Sequence, residues 1–145
     1  MDLHALCDLI VDDLEDALDL PAHETWRYVE PRIAGPEQCP LLVVYAAKTV
    51  FELETTTADY TAAHELRIGW GVDATFGAET GLGDPEAAAA AMQVVEQVVE
   101  RVRGYAAGLP GADDVVVTLV KAEYGIVGGV VWRCEITATI DDLAL

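Results

Sequence analysis

His64-Glu65-Leu66-Arg67-Ile68-Gly69-Trp70-Gly71-Val72 alternates without a break, with Leu66, Ile68, Trp70 and Val72 on one side. Side chains of an extended chain point to opposite faces in turn, so this period of two predicts a strand with one buried face. Upstream, Cys39-Pro40-Leu41-Leu42-Val43-Val44-Tyr45 is a continuous apolar run. It predicts a buried strand that continues through Lys48, Val50, Phe51 and Leu53. Between the two, Glu54-Thr55-Thr56-Thr57-Ala58-Asp59-Tyr60 is polar, the composition of a hairpin tip. The span 41–72 therefore reads as one long β-hairpin.

Working outward, residues 2–19 predict an amphipathic helix ended by Pro21. Leu3, Leu6, Cys7, Ile10, Leu14, Ala17 and Leu18 recur at steps of three and four, and Asp8, Asp12, Glu15, Asp16 and Asp19 form an opposite, acidic face. Thr25-Trp26-Arg27-Tyr28-Val29-Glu30 is rich in aromatic and β-branched residues and predicts a strand. Residues 73–83 read as a loop. Asp84-Pro85-Glu86 opens a second helix, with Asp84 as N-cap and Pro85 at the first helical position. That helix runs to about Arg103 and presents Ala88, Ala91, Met92, Val95, Val98, Val99 and Val102 as its apolar stripe, with Gly104 or Gly108 closing it. The alanine run 87–91 is plain helix. Two strands follow, from Asp114 to Glu123 and from Val130 to Ile140, with a turn over Ile126–Val130. The order α-β-β-β-α-β-β predicts an α+β fold: a mainly antiparallel sheet of about five strands, with two helices on one face. The 145 residues 1–145 fit a single domain.

The balance of 26 Asp and Glu against 8 Lys and Arg gives a net charge of −18. Such a surface repels phosphate, which works against specific nucleic-acid binding and against anionic membranes. No apolar run approaches a membrane span. The N-terminus, carrying Asp2, Asp8, Asp12 and Asp13, lacks the basic-then-apolar order of a secretory signal. Three widely spaced cysteines, Cys7, Cys39 and Cys134, make no disulfide framework and suit a reducing cytoplasm.

The chemistry-bearing residues do not gather into a motif. His4, His23 and His64 stand apart, and no Cys-x-x-Cys or HExxH is present, so no metal or other cofactor is expected. Gly81-Leu82-Gly83 before a helix lacks the third glycine and the Lys-Ser/Thr of a phosphate loop, and Asp84 puts a carboxylate where an anion would sit. The chain contains no serine, so it has no nucleophile elbow. The paired acids Asp12-Asp13 and Asp141-Asp142 read as solvated faces. Trp26, Trp70 and Trp132 read as core residues, with one available for an interface, where tryptophan is enriched. These readings favour an assembly part over an enzyme.

The acidic first helix, the stretch Pro36-Glu37-Gln38-Cys39-Pro40-Leu41-Leu42-Val43, the hairpin 41–72, the helix 85–103 and the final Trp132-Arg133-Cys134-Glu135-Ile136-Thr137 follow one another in a telling order. That order resembles the tail terminator and related neck or tail-completion proteins of long-tailed bacteriophages. The Ala-, Val- and Asp-rich composition is similar to that of a high-GC actinobacterial host or phage. The resemblance implies a homo-oligomeric ring, typically a hexamer, that caps the tail tube and joins it to the head. The implied partners are the tail tube protein and the head-completion connector. The implied place is the virion neck, assembled in the host cytoplasm, with DNA passing through an acidic lumen.

The family has no fixed motif to carry over, so the contact candidates come from this chain's own residues. They are Thr55, Thr56, Thr57, Asp59 and Tyr60 at the hairpin tip, Phe76, Glu79 and Leu82 in the loop, and the acidic face Asp8, Asp12, Glu15, Asp16 and Asp19. The competing expectations are another head-closure or neck ring, a small-molecule module or enzyme with a deep polar pocket, and an acidic DNA mimic that binds a basic protein.

Overall fold

The computed structural model describes residues 3–31, 35–53, 60–76, 83–112, 115–127 and 131–142. Its elements are α1 (Leu3–Ala17), β1 (Glu24–Tyr28), β2 (Leu41–Leu53), β3 (Tyr60–Asp73), α2 (Pro85–Gly104), β4 (Val115–Val127) and β5 (Val131–Asp142). The strands form one sheet in the order β1-β2-β3-β5-β4. The pairs β2–β3, β3–β5 and β5–β4 are antiparallel. The expected α+β architecture, a mainly antiparallel sheet with two helices on one face, is what forms.

One pairing departs from the antiparallel rule. β1 joins β2 in parallel, with Glu24 beside Leu41 and Tyr28 beside Tyr45. Parallel neighbours need a crossover of about a dozen residues rather than a tight turn. The proline-punctuated stretch 29–40 supplies it, and Glu24 N–H donates to the Pro40 carbonyl at 3.0 Å where the crossover returns.

The alternation that opened the sequence sets the core. Leu66, Ile68 and Trp70 of β3 meet Leu42 and Val44 of β2 and Cys134, Ile136, Ala138 and Ile140 of β5 on the helix-covered face. The same face begins at His64, the expected start of the strand, and extends past it to Ala62, both buried. His64 Nδ1 pairs with the Thr49 hydroxyl at 3.0 Å, which lets a polar ring sit at a buried position.

α1 seals this face with Leu6, Cys7, Ile10, Val11 and Leu14. α2 begins as expected: Glu86 N–H donates to the Asp84 carboxylate at 3.0 Å, with Pro85 in the first turn. Arg101 and Arg103 in the last turn complement the helix dipole. The helix ends at Gly104, and Gly108, at φ 144°, turns the chain after one further tight turn. Only Val95, Val98 and Val102 of α2 are fully buried. Met92, expected in its stripe, is 48% exposed, because at about 100° per residue it falls to one side of the line of Val95, Val98 and Val102.

β4 also runs further than expected. Ile126 and Val127 belong to the strand, paired with Trp132 and Val131 of β5, and not to the turn. Cross-strand partners on both residues hold them in the ladder.

Candidate functional site

Above the Val72 end of β3, the first half of α2 and the chain leaving α1 enclose a cleft of about 550 Å³. Trp70 and Val72 contribute from the sheet, Ala87, Ala90, Ala91 and Val94 from α2, and Leu20, Pro21 and Pro40 from the flanking segments. The cleft exists because the alanine run puts methyl groups where longer side chains would reach the sheet. Trp70 is fully buried, yet its indole Nε1 has no acceptor among the described residues. The His23 ring meets it edge-on at 5.3 Å and is fixed by donating from Nδ1 to the Pro21 carbonyl at 2.8 Å. Asp19 and Asp73 also line the cleft. Asp73 Oδ1 accepts from Thr75 N–H at 2.9 Å.

Phe76 links the cleft to an aromatic path. It has φ 46° and lies edge-on to Trp132 at 6.0 Å, and Trp132 stacks on Tyr124 at 6.2 Å. Tyr124 is 54% exposed, and Ile126 beside it on the edge strand is 63% exposed. Exposed apolar side chains in a contiguous run are the informative kind. Of the loop candidates, Phe76 thus lies where cleft and path meet, while Glu79 and Leu82 lie outside the described residues.

The hairpin-tip candidates Thr55, Thr56, Thr57 and Asp59 also lie outside the described residues. Tyr60 opens β3, paired with Leu53. Below the tip, β2 from Lys48 to Leu53 pairs with β3 alone among the described residues, since β1 reaches only Tyr45. Val50 and the 63% exposed Phe51 sit on this half-open edge.

The acidic face of α1 is partly committed inside the molecule. Asp8 accepts from Arg27 Nη1 at 2.8 Å and from the Tyr28 hydroxyl at 2.7 Å, and these two hydrogen bonds hold its carboxyl below the usual range. Glu15 accepts from the Thr25 hydroxyl at 3.2 Å. Asp12, Asp16 and Asp19 remain exposed.

Asp13 is not the solvated acid the sequence suggests. Arg101 grips it with both Nε and Nη2, at 2.9 and 2.6 Å, and the Tyr105 hydroxyl donates to it at 2.6 Å. The Arg101 guanidinium lowers the Asp13 pKa, while burial and the Asp13 carboxylate raise that of Tyr105. This cluster ties α1 to the end of α2. It is a structural clamp that sequence reasoning missed, since 88 residues separate Asp13 from Arg101.

On the opposite sheet face, Arg67 Nη1 donates to Glu135 at 3.1 Å, and Arg133 also pairs with Glu135. Tyr45 lies beside this group, its pKa raised by burial and then by the Glu135 charge.

The tryptophans divide three ways. Trp70 is core, Trp132 half-buried, and Trp26 is 45% exposed because β1 is a sheet edge, with its indole N–H donating to the Val29 carbonyl. Cys7 and Cys134 are core thiols pushed up to about 11 by burial. Among the described residues no three His, Cys, Asp or Glu are grouped to hold a metal ion. No described helix is long and apolar enough to cross a membrane. In comparisons with known proteins, no family model matches the chain and no curated protein matches it.

Proposed function

We propose that this chain is a structural ring subunit of the tail-terminator kind, capping a phage tail tube and joining it to the head. One observation carries the reading. Both sides of the sheet carry exposed apolar side chains: Val50 on the far half of β2, past the last residue that β1 pairs with, and Val116 and Ile126 on the border strand β4. Soluble proteins usually blunt such edges. Two different edges that pair between copies make a head-to-tail contact, which closes into a ring when the rotation fits.

The charge supports the same reading. Arg27, Arg67, Arg101, Arg103, Lys121 and Arg133 each pair with a carboxylate of the same chain. The surplus of 26 acids over 8 Lys and Arg is thus left to the surface, which suits a channel that DNA passes without adhering.

Mass in solution by light scattering across concentration, with negative-stain images of the same sample, tests the proposal. Closed rings of about six copies are expected. A strict monomer at every concentration, joined to tight salt-sensitive binding of a DNA-binding protein, would replace it with the DNA-mimic reading.

A further inference from the structure

We propose that the cleft under the alanine run of α2, with the aromatic path leading from it, is the docking site for an extended, arginine- or lysine-bearing segment of a separate basic protein. This deepens the ring-subunit reading by giving a partner's chemistry. The cleft is of the size that encloses a bound side chain or small ligand, about 300–1,000 Å³. Its walls are apolar, yet Asp19 and Asp73 line it, and neither carboxylate has a cationic partner among the described residues. A guanidinium or ammonium seated there would gain charge-assisted hydrogen bonds.

A chain segment fits better than a small molecule, because the apolar surface does not stop at the cleft. Through Phe76 it continues along Trp132 to Tyr124, on the sheet face that carries Cys134. Only an extended chain can place a cation in the cleft and lay further side chains on that path. A second copy of this chain is a poor occupant of the cleft itself, since it brings 26 acids against 8 Lys and Arg to the site of Asp19 and Asp73. Charge complementarity selects a basic partner.

The test titrates the full ¹⁵N-labelled chain with the peptide acetyl-Thr-Leu-Arg-Leu-Tyr-Thr-amide and with its Gln and Glu counterparts at the arginine. The Trp70 indole N–H, buried without an acceptor among the described residues, is the reporter. The arginine peptide is expected to shift that resonance and the amides of Ala87, Ala91 and Tyr124, and to bind roughly fivefold or more tightly than the Gln peptide, with Glu weakest. Asp19→Asn combined with Asp73→Asn is expected to erase the preference for arginine. Ala91→Phe, which fills the cleft from the helix, is expected to weaken all three peptides about tenfold. Equal binding of the three peptides, shifts confined to other surfaces, or no shift at millimolar peptide would overturn the proposal. Light scattering on the same samples reads ring formation separately. Arginine-selective shifts on a monomer would therefore keep the docking site and remove the ring.

Discussion

The two helices cover one sheet face, but in different ways. α1 is fifteen residues long and buries five large side chains or thiols, whereas α2 is twenty residues long and buries three valines. α1 is also clamped by its acids, Asp8 to β1 and Asp13 to the end of α2. The first half of α2 offers the sheet the methyl groups of its alanine run and, at its end, Val94. The difference teaches that one helix carries stability and the other leaves a usable space, and that the alanine run is what separates the two roles.

The sharpest way to break that contrast is to exchange burial. Ile10→Ala removes a fully buried side chain of α1 and is expected to cost about 2–5 kcal/mol in chemical denaturation. A loss under about 1 kcal/mol would mean α1 is not the sealing helix. Asp13→Ala leaves Arg101 and the Tyr105 hydroxyl without their acceptor and is expected to cost about 1–3 kcal/mol.

The clamp has a pH signature. The folded Asp13 carboxyl is lowered by Arg101 first, so its contribution is present above the unfolded value of about 4 and is lost as pH falls through the lower folded value. The wild-type chain should lose stability on that acid limb more steeply than Asp13→Asn, by thermal unfolding followed between pH 6 and pH 2 or so. Parallel profiles would show that the clamp contributes nothing. The smallest effect belongs to the open helix: Met92→Ala is expected to stay within about 0.5 kcal/mol of wild type by the same measurement.

Local chemistry was legible in the sequence, and distant chemistry was not. The alternation of Leu66, Ile68, Trp70 and Val72 places one face of β3, and Asp84-Pro85-Glu86 starts α2, because both signals lie within a few residues. The parallel docking of β1 and the Asp13–Arg101 contact depend on what the chain meets far along its length, so Asp13 looked like one more solvated acid. Trp26 read as core because aromatic composition does not distinguish an edge strand from a central one. For the cleft the residues were in plain view: Ala87 to Ala91 reads as helix, and that such short side chains leave a space depends on how far from the sheet the rest of the helix is held.

The cysteines give the molecule its own clock. Cys7 sits in α1 and Cys134 in β5, both buried and both with thiols too high in pKa to ionise at neutral pH, while Cys39 is only half-buried. The thiolate is the form that alkylating reagents attack. Modification of Cys7 and Cys134 therefore waits for the layer that covers each to open. Followed by mass spectrometry, the interval between the first adduct and the next two would time how long helix and sheet stay together, with no label added to the chain.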